Sequence, residues 1–201
     1  MFSKKNFERI KPFIFLLILF PSILWIYQFV TGNLGVNPIE RIMDEFGLMA
    51  LRLIILTLMI SSIANIKAFK PITIYRRMIG LFAFYYVVLH FSTYIFLDHF
   101  LDLQFIIKDI IKRPFITFGF ISFLFLIPLA VTSTNNMVKK LGFNLWKKLH
   151  YLIYPAAILS SMHFYMLVRA NKSEPAIYMG IIILLLLYRV FKKITPRPLA
   201  R

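Results

Sequence analysis

Four histidines set the chemical question. His90, His150 and His163 lie within or at the start of long apolar runs, and His99 falls just past one, beside Asp98 and Asp102. An ionisable side chain inside a membrane span is costly to place and is a functional candidate for that reason. A lone intramembrane histidine is equally a hydrogen-bonded packing residue, but three at matched depths are harder to assign to packing. The stretch from Arg77 to His90 has the same length as the stretch from His150 to His163. At about 1.5 Å per residue each separation is roughly 20 Å. Two spans running the same way bring His90 and His163 to one level, where neutral imidazoles on facing helices can ligate one haem iron axially. His150 sits at the other level with no histidine opposite. Arg76 precedes His90 by nearly a whole number of helical turns and shares its face, whereas Arg77 lies well off it. His150 and His163 fall about 140° apart on an ideal helix. Tilt, local distortion or two different cofactor approaches must absorb that angle.

Other chemistries are excluded or weak. With no Cys, the chain has no thiol nucleophile, thiolate zinc site or cysteine-ligated cluster. There is no Gly-rich dinucleotide fingerprint, no P-loop and no metalloprotease pattern. No carboxylate falls mid-span, which counts against a proton-relay transporter. Arg52 either snorkels or serves a haem propionate, and the first use is the more ordinary one. Trp25 and Trp146 read as membrane-interface anchors. His99 reads as a solvated loop residue, and no catalytic residue is expected.

The elements that must carry these side chains are membrane helices. The 201 residues are 60% hydrophobic and 16% charged, against about 45–50% and 25% in soluble domains. Mean hydropathy is +0.76. Apolar runs at about 12–30, 47–66, 79–97, 115–131, 149–168 and 176–191 predict an all-α integral membrane protein, a bundle of six transmembrane helices over one domain, 1–201. The last run is short and can be extended by snorkelling of Arg189 and Lys192. Pro12 suits a first helical position and Pro21 a kink. Leu103–Ile111 has helical apolar spacing and predicts a short interfacial helix. No internal repeat stands out.

The net charge of +16 can mark nucleic-acid binding. Here the charges sit between apolar runs, so they read as topology signals and contacts with the lipid bilayer, and no nucleic-acid partner is expected. One set of segments carries Lys4, Lys5, Arg9, Lys11, then Lys67, Lys70, Arg76, Arg77, then Lys139, Lys140, Lys147, Lys148, then Arg189, Lys192, Lys193, Arg197 and Arg201, with Glu8 as its acidic residue. The other set carries Arg41, Lys108, Lys112, Arg113, Arg169 and Lys172 against Glu40, Asp44, Glu45, Asp98, Asp102, Asp109 and Glu174. The positive-inside rule then predicts two cytoplasmic termini.

Several stretches resemble one family. They are Leu34-Gly35 with Pro38, Arg76-Arg77-Met78-Ile79-Gly80-Leu81, Leu89-His90, Arg113-Pro114-Phe115-Ile116-Thr117 with Gly119, and Thr132-Ser133-Thr134. The most specific is Trp146-Lys147-Lys148-Leu149-His150, with His163 beyond it. Together, from about residue 12 to 192, the chain resembles the haem-binding membrane subunits of periplasmic methionine sulfoxide reductase systems, within the ferric reductase-like transmembrane group. The resemblance implies a b-type cytochrome of the bacterial inner membrane with one or two haems. It makes His90, His150 and His163 haem ligands or close neighbours. It puts Arg76 where the family keeps an arginine and related ferric reductases carry a further histidine, while His99 matches nothing in the pattern. It also implies electrons from the quinone pool or a cytoplasmic flavin donor, with FMN associated with some members, and a periplasmic molybdopterin methionine sulfoxide reductase as acceptor. No FMN motif is visible in this chain.

The leading expectation is therefore an electron conduit, the electron-transfer subunit of an oxidoreductase system rather than its catalytic subunit. The alternatives are a stand-alone transmembrane ferric or quinone reductase, a haem-free small transporter with Pro128 and Pro155 as its helix breaks, and an assembly subunit with structural histidines.

Overall fold

The computed structural model describes residues 4–64 and 66–194. Arg197 and Arg201 of the terminal basic cluster lie outside them, as do the side chains of Lys4, Lys5, Lys67 and Lys193. Helix α1, Lys4–Val30, passes through Pro12 and Pro21 without interruption. Pro12 therefore stands inside the helix rather than at its start. Helix α2, Pro38–Ile63, opens on a proline, whose missing N–H is no loss in a first turn. After a 3₁₀ segment at Lys67–Ile72, α3 spans Thr73–Ser92 and runs on into a π-helical turn at Thr93–Asp98. Phe100 and Leu101 take positive φ values of 47° and 63°, and this turn delivers the chain to α4, Leu103–Lys112. Asp102 caps α4 by accepting from the Phe105 N–H at 3.0 Å.

Helix α5 covers Pro114–Val131. The expected loop before the next span is instead two short helices, α6 at Asn135–Leu141 and α7 at Phe143–Leu149. Gly142 divides them at φ +74°, a value that a side chain would disfavour. A 3₁₀ turn at His150–Leu152 leads to α8, Ile153–Leu167, and α9 closes the fold at Ser173–Ile194.

There is no strand among the described residues, and the fold is an all-α membrane bundle. Among those residues, five helices are long and apolar enough to cross a membrane: Phe7–Val30, Pro38–Ile63, Phe69–Asp98, Pro114–Val131 and Ser173–Lys192. The stretch expected as the fifth span, 149–168, is different. The 3₁₀ turn at His150 breaks it, and the 15 residues of α8 extend about 22 Å. The last span, by contrast, gains length from its own helix, which at 22 residues outruns the apolar stretch 176–191 at both ends.

The bundle is built from two hairpin-like pairs, α2 on α3 and α5 on α8, with α9 against α8 and α2. Helix α1 is fastened to α3 by three tyrosine hydroxyls. Tyr75 donates to the Phe7 carbonyl at 2.6 Å, the fully buried Tyr86 donates to the Ile18 carbonyl at 2.6 Å, and Tyr85 shares a bond with Ser22 Oγ at 3.1 Å. In an apolar interior such bonds are hard to replace with water. Arg189 corrects a sequence expectation. Instead of snorkelling, it turns into the bundle, donating to the Tyr154 hydroxyl at 2.8 Å and the Leu58 carbonyl at 2.7 Å. Trp25 is likewise a packing residue, edge-on to Phe46 and Tyr86.

Candidate functional site

The α2–α3 pair and the α5–α8 pair face each other across a cavity of about 650 Å³, within the range of cofactor pockets, roughly 300–1,000 Å³. His90 on α3 and His163 on α8 both line it. Their ring centroids are 6.1 Å apart and their planes are near perpendicular at 78°. His90 Nδ1 lies 2.8 Å from the Met43 carbonyl, and His163 Nδ1 lies 2.7 Å from the Phe115 carbonyl. A carbonyl oxygen only accepts, so each ring must carry its proton on Nδ1. That tautomer leaves Nε2 with its lone pair, the form that binds a metal, while the carbonyl bond fixes the ring and raises its basicity. No buried side-chain nitrogen or oxygen among the described residues lacks a partner, so the two Nε2 atoms are not sealed in apolar packing.

Two glycines make this possible. A Cβ on Gly47 would stand 2.9 Å from His90 Nδ1, and a Cβ on Gly119 would stand 2.9 Å from His163 Nδ1. Each glycine lies one helical turn beyond the carbonyl that holds its histidine, Met43 for Gly47 and Phe115 for Gly119. A glycine inside a helix costs about 0.5–1 kcal/mol relative to alanine, and here it lets the imidazole lie directly on the neighbouring backbone. The two half-sites share a sequence pattern that reading along the chain did not reveal. Arg41-Ile-Met43-Asp-Glu-Phe46-Gly47 on α2 matches Arg113-Pro-Phe115-Ile-Thr-Phe118-Gly119 at α5 in Arg, Phe and Gly, and the partner helices carry Leu89-His90-Phe91 and Met162-His163-Phe164. Only the structure shows that these segments do the same job on opposite walls.

The closed end of the cavity is apolar, with Ala50, Leu51, Ile54 and Val87, and its mouth is charged. Such a site can take a flat, largely apolar group with polar substituents on one edge. Imidazoles facing each other across a metal, with bonds of about 2 Å, place their ring centroids about 6 Å apart. The observed spacing meets that requirement, so the residues fit a haem with two axial histidines.

Residues 46–161 match the family described as "Ferric reductase like transmembrane component". Among curated relatives, a Brucella anthropi protein is 44% identical over 172 residues, 86% of this chain and 77% of its own length. One from Herminiimonas arsenicoxydans is 43% identical over 192 residues, 94% and 88% of the two chains. One from Brucella ovis is 45% identical over 170 residues, 85% and 76%. All three are named "Protein-methionine-sulfoxide reductase heme-binding subunit MsrQ". The chain belongs to the MsrQ family of ferric reductase-like transmembrane proteins. The family match runs from Phe46 to Ser161, so it includes Gly47, His90, Phe115 and Gly119 but stops short of Arg41 and Met43 at one end and of His163 at the other.

The remaining sequence candidates of this MsrQ-family chain fall elsewhere. His150 does not line the cavity. It opens the 3₁₀ turn before α8, donates from Nδ1 to the Trp146 carbonyl at 3.0 Å and lies against the Trp146 ring, tilted by 34° with centroids 4.0 Å apart. Trp146 is thus no simple interface anchor, since its indole also donates to the Thr132 carbonyl at 3.0 Å. Arg76 is likewise absent from the lining of the cavity that holds the histidine pair. Arg52 also lies off the cavity, donating to the Tyr178 hydroxyl at 2.8 Å; a propionate role for it finds no support.

His99 is not a solvated loop residue. It lines the cavity mouth with its side chain 15% exposed, edge-on to Tyr94, with Nε2 3.4 Å from Asp98 and 3.8 Å from Asp109. Sequence reasoning also missed Asp109. It is buried on α4, bonded to Arg113 at 2.7 Å and to the Tyr94 hydroxyl at 3.1 Å. The positions 98–113 hold every member of this cluster but Tyr94, yet only the turn at Phe100–Leu101 folds α4 back to assemble it.

Proposed function

We propose that the chain is the haem-binding, electron-transferring membrane subunit of a protein-methionine-sulfoxide reductase system. The observation that carries this reading is the facing pair His90 and His163, each held in the Nδ1–H tautomer by a backbone carbonyl at 2.8 and 2.7 Å. His90 and His163 would hold one b-type haem through their free Nε2 atoms. A bound haem supplies one-electron redox chemistry. The chain's own residues hold and orient the ligand nitrogens, and the apolar wall of Ala50, Leu51 and Ile54 keeps water from the closed end.

His150, Trp146 and Arg76 form the second, electron-entry level, holding either a second haem or the contact for a quinol or flavin donor. A permanently charged guanidinium is a poor metal ligand, so Arg76 acts there as an anion clamp. The electron acceptor is a periplasmic molybdopterin methionine sulfoxide reductase docking at the cavity mouth, on the turn at 31–37, on α4 and on the turn at 168–172. Electron-transfer contacts usually bury little area, so docking is transient. The test is to reduce the purified protein anaerobically and then add that reductase with a methionine sulfoxide substrate. Haem reoxidation that requires both additions is the expected result. Equally fast reoxidation by ferric chelates alone would favour a stand-alone reductase, and a colourless preparation that still supports the reductase would sink the haem reading.

The membrane is the bacterial inner membrane, crossed six times with α8 as the short crossing and both termini in the cytoplasm. The basic residues concentrated at the terminal end of the bundle support this orientation. The chain has no Cys, so single cysteines label without background. Cysteines replacing Asn33 or Asn171 are expected to react with a membrane-impermeant maleimide in intact spheroplasts, and one replacing Asn136 only after lysis. The reverse pattern would invert the topology.

A further inference from the structure

We propose that Arg41 and Arg113 anchor the two carboxylates of the haem, one guanidinium from each wall of the site; this rests on the haem reading above. The cavity is closed and apolar at one end and charged at the other. A macrocycle with a single carboxylate-bearing edge can therefore enter in one sense only, with that edge at the mouth. The described residues lining the mouth include Glu40, Asp44, Glu45, Asp98, Asp109 and Glu174, and its only permanent cations are Arg41 and Arg113. Two further carboxylates arriving there are repelled by the protein unless these two arginines receive them.

Both side chains are already set for the task. Arg41 Nη2 bonds Glu45 at 2.6 Å, and Arg113 Nε bonds Asp109 at 2.7 Å. Each of these bonds uses part of a five-donor fork, and the remaining N–H groups can take a carboxylate bidentately. Asp109 is itself 5% exposed and tied to Tyr94, so Arg113 is oriented by a fixed partner. The two arginines share a sequence offset on different backbones, Arg41 within α2 and Arg113 in the extended residue that precedes α5. Arg41 stands two residues before the carbonyl that holds His90, and Arg113 stands two residues before the carbonyl that holds His163. The same offset on opposite walls places one cation on each side of any group held between the histidines.

The test uses the full chain in detergent, stripped and then titrated with haem b or with its dimethyl ester, which lacks both charges. Dissociation constants are read from the Soret band. Arg41→Gln and Arg113→Gln are each expected to weaken haem b binding by about tenfold or more, the worth of a charge-assisted hydrogen bond. Neither is expected to change binding of the ester, and Arg52→Gln serves as a control that changes neither. An equal loss with acid and ester would show a merely structural role and overturn the proposal, as would no loss with the acid. Should a variant fail to fold, the unaltered chain decides: weaker binding of the ester supports the anchors, and equal or tighter binding overturns them. Failure of the unaltered chain to bind either porphyrin would overturn the haem reading itself, and the anchors with it.

Discussion

His90→Ala and His163→Ala are each expected to abolish the same haem signal. The two rings stand 6.1 Å apart between centroids and no other histidine lines the cavity within reach of both walls except His99 at the mouth. His99 is committed to Asp98, Asp109 and Tyr94 and cannot substitute without dismantling that cluster. Loss of the hydrogen-bond partner behind a metal ligand already costs about 10–100-fold in affinity. Loss of the ligand should be more severe, leaving less than about a tenth of the haem per polypeptide. His150→Ala is the contrast. It leaves the cavity pair intact, so the low-spin band belonging to that pair should persist while electron entry or a second band is perturbed. Pyridine haemochrome content and the reduced-minus-oxidised spectrum of each purified variant measure this. If the two cavity variants lost spectrally different haems, the pairing of His90 with His163 on one iron would be wrong.

Gly47→Ala and Gly119→Ala are expected to act almost as strongly, although each adds a single methyl group. The new Cβ would stand 2.9 Å from the Nδ1 of a ring already bonded to the helix carrying it. The ring is rigid and cannot yield at its tip as a long side chain does. Either it swings off the Met43 or Phe115 carbonyl, losing its tautomer and aim, or the helices part. Overpacking of this kind costs about 1–3 kcal/mol, equivalent to a fall in haem affinity of roughly 5- to 150-fold. A displaced ring should also convert part of the six-coordinate low-spin spectrum to high spin. Gly80→Ala is the control, because a Cβ there would meet nothing closer than Thr57 at 3.8 Å. Unaltered spectra in both cavity variants would show that the walls are looser than the close approach implies.

The histidine spacing and the apolar runs are legible in the sequence because both depend on helical rise, which counting residues measures directly. Depth along a helix places His90 with His163, yet rotation about the axis is not recoverable in this way. That is why the wide angle between His150 and His163 on an ideal helix looks like an obstacle. The 3₁₀ turn at His150–Leu152 separates His150 from α8, and an ideal helix does not describe both residues. Side-chain direction is also hidden. Arg52, Arg189 and Trp146 sit where interface residues belong by hydropathy, and each instead bonds a particular partner across the bundle. Asp109 lies in the stretch 103–111 that reads as a short interfacial helix, whose burial the sequence does not reveal, and the left-handed turn that folds it back has no signature in Phe100 or Leu101, residues that disfavour positive φ. The glycines are the largest omission. A glycine in an apolar helix gives no sign of what lies against it, and the matching Arg-to-Gly segments share too few residues to stand out as a repeat.

The shortness of α8 bears on the electrical work done by the site. Its 15 residues extend about 22 Å against a hydrocarbon layer of about 30 Å. A bilayer meets such hydrophobic mismatch by thinning locally or by drawing flanking polar residues to the interface. Lys147 and Lys148, at the end of α7, stand where that adjustment is needed. With the insulating layer thinned there, the transmembrane voltage falls over a shorter path, and the field along α8 steepens. In the proposed orientation, an electron passing from the level of His150 to the histidine pair crosses much of that layer. It moves from the electrically negative to the positive side, where a full crossing is favourable by about 2.3 kcal/mol per 100 mV. In that orientation a respiring cell's membrane potential would help drive electrons outward along this helix.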